Sequence, residues 1–179
     1  EVPARSWSAT QVGATVVQTL LPGVHAGATV KYVRGTLRTG RQDALRTPSD
    51  LLGLGESLEG GDAEQRVDLD VGLLAKAGPV RLGGVVRNVR QPEFGDGAYR
   101  LPRQARVGAA LDFEEAGGVP LMFAVDVDVR AYAGASGRRQ VVAVGVEQWL
   151  MARRVGLRAG ARKNTAGREE RSVTAGASV

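Results

Sequence analysis

Few residues in this 179-residue sequence could carry out chemistry. It has no cysteine, which removes thiol nucleophiles and thiolate zinc sites, and its single histidine, His25, removes any multi-histidine metal site. Asp126 and Asp128 lie two residues apart, a spacing that could serve acid–base catalysis or a metal bound through oxygen. Packing of these carboxylates against arginine explains them more simply. The sequence therefore favours a protein that is not an enzyme.

Features that would bind a common cofactor are equally scarce. The glycine-rich segment Gly53–Gly61 lacks the Gly-Lys-Ser/Thr ending of a phosphate-binding loop. The single histidine follows a short Pro-Gly turn, where we interpret it as a polar residue at a strand end, and no serine has the glycine pattern of a nucleophile elbow. We expect no cofactor and no metal.

The charge of the chain first suggests nucleic acid, since the formal net charge is +5 and the pI is about 10.2. Of the 24 basic residues, three are lysine and 21 are arginine, and they are spread along the chain rather than gathered into a stripe. Aromatic residues make up only 4%, too few for the stacking platforms that bind single strands. We expect no nucleic-acid partner.

The elements that would position these residues are β-strands, because apolar and polar residues alternate through most of the chain. The clearest example is segment 121–130, where Phe123, Val125 and Val127 alternate with Asp126 and Asp128. The same period predicts an all-β fold of about nine antiparallel strands. They lie near residues 9–20, 24–32, 67–73, 80–87, 105–113, 121–130, 142–147, 154–162 and 172–179.

The connections between these strands alternate between short and long. Pro22-Gly23 and Gly78-Pro79 are tight, whereas the links 38–65 and 91–102 are long. This pattern predicts an up-and-down meander whose long links emerge at one end, the layout of an outer-membrane β-barrel. Within the link 38–65, residues 47–52 could form a short helix capped by Ser49 or Asp50.

Alternation alone does not say whether the apolar face contacts lipid or a protein core. Gln148 is the one polar residue on the apolar face of the eight clear strands, and the opposite face is rich in glycine, as a crowded barrel interior would be. Trp7, Phe113, Tyr132 and Trp149 lie toward strand ends, where an aromatic girdle would place them, although Trp149 has the opposite parity. A soluble extracytoplasmic β-sandwich, acting as a binding or structural module, is the alternative.

The polar face carries charges of both signs, which predicts a network of cross-strand ion pairs inside a barrel. We expect these pairs to fill and stiffen the interior, or alternatively to set a polar path or a ligand site. The candidate residues are Lys31, Asp68, Asp70, Arg81, Arg87, Arg106, Asp112, Asp126, Asp128, Arg130, Glu147, Arg158 and Arg162.

Several strand segments resemble a known family. Gly27–Gly35 (GATVKYVRG), Asp68–Gly72 (DLDVG) and Leu101–Gly108 (LPRQARVG) resemble strands of bacterial outer-membrane proteins of the conjugal-transfer TraF and PorV type. These are relatives of the FadL fatty-acid-transporter superfamily. Further similar segments are Leu82–Asn88, Pro92–Phe94, Ala124–Asp128, Gly145–Trp149 and Leu157–Gly160, so that the resemblance covers most of the chain, in order.

The resemblance implies a barrel of about fourteen strands in the bacterial outer membrane, embedded in its lipid bilayer. All 179 residues would then form one barrel segment, and we expect further strands at both ends. It also implies passive transport of hydrophobic or anionic amphipathic molecules, or a scaffold role in secretion or conjugation. The family's plug-forming N-terminal region has no counterpart in this sequence. An anionic cargo would contact the basic excess on the polar face, at Arg81, Arg87, Arg106, Arg158 and Arg162.

Overall fold

A computed structural model describes residues 2–42, 58, 61–134 and 137–179. Within these residues the fold is all-β, with thirteen strands and no helix. Nine of the strands form one sheet: β1 (Val2–Leu21), β2 (Val24–Gln42), β3 (Glu64–Ala77), β4 (Val80–Arg87), β7 (Gln104–Asp112), β8 (Leu121–Asp128), β11 (Val141–Leu150), β12 (Val155–Asn164) and β13 (Arg171–Ser178). In this part of the chain no helix is long and apolar enough to cross a membrane.

The nine-stranded sheet is an antiparallel meander. Each strand pairs with the strand before and after it in the order β1-β2-β3-β4-β7-β8-β11-β12-β13. The predicted all-β class and the antiparallel meander of nine sheet strands are confirmed. The sheet is open in this structure, because β1 and β13 are its two edges.

The connections alternate between the two ends of the sheet, as the sequence predicts. At one end, the turn end, the backbone of Lys76 donates to the carbonyl of Gly23, with N and O 2.6 Å apart. Gly23 has a φ of 79°, and a side chain there would collide with that lysine's backbone carbonyl. At the other end, the loop end, Arg66 Nε donates to the carbonyl of Glu93 over 3.0 Å.

Two small hairpins lie within long connections and were not predicted. β5 (Glu93–Phe94) pairs with β6 (Tyr99–Arg100), and β9 (Tyr132–Gly134) pairs with β10 (Gly137–Arg139). Segments of two or three residues are too short to show a period of two. Both hairpins lie at the loop end, since they connect β4 to β7 and β8 to β11.

The first long connection is shorter than the predicted range 38–65. β2 continues to Gln42 and β3 begins at Glu64. The strands β1 and β2 both extend beyond their predicted limits. The sequence did not predict their outer parts, because threonine, serine and arginine occupy alternate positions there and the apolar period fades. The helix predicted for residues 47–52 lies outside the described residues.

The two faces of the sheet differ in burial, and the more buried one is charged. The register places Lys31, Asp68 and Asp128 on one face, the polar face, together with the buried Val33 and Val141. The other, apolar face carries valine, leucine and alanine at most positions of the strands, except in the outer parts of β1 and β2, where serine, threonine and arginine lie on that face. Its side chains are largely exposed: Val16 70%, Val30 57%, Leu82 54%, Phe123 47% and Val173 82%.

Candidate functional site

Twelve of the thirteen candidate charged residues lie on the polar face. The register alone places them there, because each pairs across neighbouring strands with residues of the same face. Arg130 is the exception and corrects the prediction: β8 ends at Asp128, and Arg130 lies in an exposed bend beyond it. The opposite face carries Val125, Val127, Leu157 and Ala159, as predicted, whereas Val129, which the same alternation assigns to that face, lies in the exposed bend after β8.

Lys31 is the centre of the most buried charge cluster. Its ammonium nitrogen lies 3.0 Å from Asp68 Oδ2, 2.6 Å from Asp70 Oδ1 and 2.8 Å from Asn88 Oδ1. Asp68 is fully buried, and its other oxygen accepts from the backbone N–H of Arg90 at 3.1 Å. Asn88, the residue after β4, is thus the third side chain that contacts the Lys31 ammonium. Sequence reasoning did not identify Asn88, which has a φ of 53° at the start of a loop.

Arg106 and Asp128 form a second pair, in which the carboxylate is buried and the arginine is partly exposed, and they face each other directly across β7 and β8. Arg106 Nε donates to Asp128 Oδ1 over 2.8 Å, and the backbone N–H of Val141 donates to Asp128 Oδ2 over 2.8 Å. The carboxylate therefore fixes the start of β11 as well as neutralising an arginine. Asn164 extends this network, because its side chain accepts from the backbone N–H of Gln140 over 2.8 Å.

A second group of charges lies toward the turn end. Arg81 Nη2 is 2.7 Å from Asp112 Oδ2, and Lys76 Nζ is 2.6 Å from Glu115 Oε1. Glu147 and Arg158, neighbours across β11 and β12, are joined by a 2.6 Å contact from Nε to Oε2. The Trp149 ring N–H donates to the other oxygen of Glu147 over 2.6 Å.

Small residues separate these two groups of charges. In the strands of the nine-stranded sheet from β3 to β12, a charged or amide residue lies at or next to each end, except at the turn end of β8, where Met122 lies. The polar-face positions between are mostly glycine or alanine. We call these positions the small-residue band; they are Gly72, Gly83, Gly108, Ala110, Ala124, Ala143, Gly145 and Gly160. The polar face therefore has two layers of ion pairs with open space between them.

Besides Arg130, three candidate residues make no ion pair within the described part of the chain. Asp126 and Arg87 are exposed and make no hydrogen bond or ion pair to other described residues. Arg162 Nε instead donates to the hydroxyl of Ser172 over 3.1 Å. The predicted network is thus a set of separate clusters, and its pairing could not be read from the sequence because pairing depends on register.

An aromatic cluster covers the polar face at the loop end. Phe94 of the β5–β6 hairpin is 1% exposed, and the centre of its ring lies 4.8 Å from that of Trp7. The rings of Trp7 and Tyr99 have centres 4.3 Å apart, and the Arg66 guanidinium lies 5.8 Å from the centre of the Phe94 ring. Gly35 on β2 leaves room for Trp7 and Phe94.

These contacts correct the predicted aromatic girdle. Trp7 pairs with Leu37 in the register, so it lies on the polar face, as Trp149 does. Both tryptophans of the chain are therefore on the charged side of the sheet. The sequence indicated the hairpin only by the aromatic residue between Pro92 and Gly95, a weak sign of a buried side chain within a loop.

Two ionisable groups in the connections, Glu169 and Arg153, have pKa values that are shifted by their hydrogen-bond partners. Hydrogen bonds from Arg171 and then from Lys163 hold the pKa of the Glu169 carboxyl below its ordinary value. At the turn end, the hydrogen bond to Glu114 raises the pKa of Arg153. Both pairs lie at the surface.

The chemistry available to this face is electrostatic. Within the described residues, no three histidine, cysteine, aspartate or glutamate side chains come together as a metal site. Charges of both signs, glycine-lined space and apolar side chains can bind or pass a polar or amphipathic molecule. No protein-family model, curated protein or solved structure matches the chain.

Proposed function

We propose that this chain forms part of the wall of a bacterial outer-membrane β-barrel, with the apolar face against lipid and the polar face lining a passive path. The observation that carries the proposal is the inverted burial of the two faces. Asp68 and Asp128 are 0% and 2% exposed, while Val16 and Val173 on the other face are 70% and 82% exposed. A water-soluble sheet buries its apolar face, whereas a membrane barrel turns that face to lipid.

The size of the apolar face supports contact with lipid. Valine, leucine and alanine side chains run across all nine strands on this face, with Gln148 a polar residue near the end of β11. Soluble monomers seldom expose continuous apolar patches of more than a few hundred Å². Each buried methylene contributes about 0.8 kcal/mol when it leaves water, so that covering this face is strongly favourable.

The sheet edges support a closed barrel in the complete assembly. β1 has 20 residues and hydrogen bonds to the sheet on one side only, through β2. Within a bilayer, unpaired backbone groups have no water to bond with, and only closed sheets or helices satisfy them. The proposal therefore includes further strands that pair with β1 and β13.

The ion pairs restrict what can be proposed about cargo. Arg81, Arg106 and Arg158 are three of the five arginines from which the sequence predicts an anionic preference, and each has a carboxylate partner. Paired charges attract an anion much less than free ones. We therefore propose a passive path without an anionic preference.

Lipid contact can be tested on β8, where neighbouring residues point to opposite faces. Phe123 lies on the apolar face and Met122 on the polar face. With both native tryptophans replaced by phenylalanine, we would introduce Phe123→Trp or Met122→Trp and reconstitute the full-length protein in vesicles containing brominated lipid. We expect strong fluorescence quenching for Phe123→Trp and little for Met122→Trp.

Each variant is the control for the other, because positions 122 and 123 are adjacent on β8 and would lie at nearly the same depth in the bilayer. Equal quenching at the two sites would contradict the assignment of faces. A full-length protein that stays in solution without detergent and does not enter vesicles would instead support the soluble β-sandwich.

A further inference from the structure

A groove crosses the polar face within the small-residue band. It has a volume of about 480 Å³ and lies over β3, β4, β7 and β8. Gly83 and Gly108 form its floor, and Leu74, Val85 and Ala124 give it apolar walls. This volume is within the range of about 300–1,000 Å³ that is typical of small-molecule sites.

The groove carries one uncompensated charge. Arg81 and Arg106 line it, but each is paired with a carboxylate, Asp112 or Asp128, and each pair is neutral. Asp126 also lines the groove; it makes no ion pair within 4 Å among the described residues and attracts Arg106 only at longer range, since that arginine contacts Asp128. Arg162 lies in the same row two strands away, roughly 10 Å by strand spacing, and it bonds to Ser172 instead.

Gly108 makes room for the free carboxylate. It pairs directly with Asp126, and a Cβ atom at this glycine would overlap Asp126 Oδ1. The carboxylate therefore leans over the neighbouring strand toward the groove floor, a position that a side chain on residue 108 would prevent. Gly145, another glycine of the band, has no such neighbour: a Cβ there would lie 3.8 Å from the carbonyl oxygen of Ala159.

We propose that this groove binds an organic cation with an apolar body, such as an alkylammonium. The ammonium would contact Asp126, and the hydrocarbon would lie against Leu74, Val85 and Ala124. Charge complementarity selects this occupant, because Arg106 acts on both Asp126 and Asp128 and the groove is left with one negative charge in excess. The proposal goes beyond the passive path above and does not depend on closure of the sheet.

Binding can be measured on the full-length protein in a nonionic detergent by NMR, from amide shifts of residues 108 and 126. The probes are hexylammonium, hexanoate and hexanol, which share one alkyl chain and differ in charge. We expect saturable binding of hexylammonium, about fivefold tighter than hexanol, as one partly exposed charge contact of about 1 kcal/mol would give. Hexanoate should bind more weakly than hexanol.

Two variants and a matched control locate the site. Asp126→Asn and Gly108→Ala should each weaken hexylammonium binding about fivefold, the first by removing the charge and the second by displacing it. Gly145→Ala should bind like the original protein. Hexanoate binding as tight as hexylammonium, unchanged affinity in Asp126→Asn, or no binding of any probe would overturn the proposal. None of these results bears on vesicle insertion, which tests the proposed function separately.

Discussion

Single residues on the polar face show how a charged group can be more buried than most of the valines. Asp68 has no exposed surface, yet it contacts the Lys31 ammonium and accepts a backbone N–H. Removing a carboxylate from water costs several kcal/mol, and this cost is offset only when a partner charge and hydrogen bonds are both present. These clusters are thus stable as units and sensitive to the loss of one member.

The Lys31 cluster gives the largest expected effect of a single substitution. Lys31→Met would leave Asp68 and Asp70 close together without their cation, and we expect the free energy of unfolding to fall by about 3–5 kcal/mol. Lys163→Met is the matched control, because its partner Glu169 is 55% exposed and the loss should stay below about 1 kcal/mol. Urea titration followed by tryptophan fluorescence measures the free energy of unfolding of both variants. An equal decrease in the two variants would contradict the role of burial.

Glu169 gives a prediction about pH. Its pKa is lowered in the folded protein, first by Arg171, so its stabilising contribution is complete above the unfolded value of about 4.3 and is lost as the pH falls through the lower folded value. Arg171→Met should raise the pKa of Glu169 toward its ordinary value, as followed by carboxyl NMR titration. Arg168→Met, which removes a neighbouring arginine that makes no side-chain contact to Glu169, should leave that pKa unchanged.

At the scale of elements, the β5–β6 hairpin is held on the sheet by Phe94 and by polar contacts to β3. Arg66 donates to Glu93, and Glu64 accepts from the backbone N–H of Gly95. The hairpin contributes little pairing of its own, since it has two residues in each strand. Its position therefore depends on these contacts to the sheet, of which the Phe94 ring is the most buried.

The contacts of the Phe94 ring can be disturbed from β2. At Gly35, a Cβ would overlap the Trp7 ring and lie 2.9 Å from Phe94 Cδ1, so Gly35→Ala should displace the hairpin and speed amide exchange in β5 and β6. Gly27→Ala, on the same face of the same strand, places its Cβ 3.6 Å from the nearest atom and should have no such effect. Hydrogen exchange read by mass spectrometry compares the two. Slow exchange retained in the first variant would show that the ring does not hold the hairpin.

The same elements show what the sequence could and could not predict. Strict alternation in strands such as β8 and β11 was enough to predict both the strands and the face of Asp126 and Glu147. The contact of Lys31 with Asn88 could not be predicted, because it joins a strand to a loop whose path depends on left-handed residues such as Gln91. Likewise, no local pattern indicates that Phe94 returns to the polar face.

At the scale of the whole molecule, the orientation of the sheet toward lipid can be tested by charge. Val144 and Ala143 are neighbours on β11 and lie on opposite faces. Val144→Arg should destabilise the protein in a bilayer by about 2–4 kcal/mol if it lies near the midplane. Ala143→Arg places the same charge beside Asp126 and should cost much less.

The measurement is the free energy of unfolding from vesicles, with the fraction inserted as a second readout. A smaller loss for Val144→Arg than for Ala143→Arg would reverse the assignment of faces. Valine has a higher β-propensity than alanine, but the whole propensity scale spans only about 1 kcal/mol, less than the loss expected for Val144→Arg.

The meander order also limits how the barrel could close. Direction alternates at each of the eight steps from β1 to β13, so the two edge strands point the same way. Joined to each other directly, they would form a parallel pair within an otherwise antiparallel sheet. Antiparallel closure therefore needs an odd number of additional strands, whichever chain supplies them, and the finished wall has an even number. A second copy of this sheet would supply nine additional strands, which is an odd number. Its edge strands would then have to run antiparallel to β1 and to β13 of the first copy.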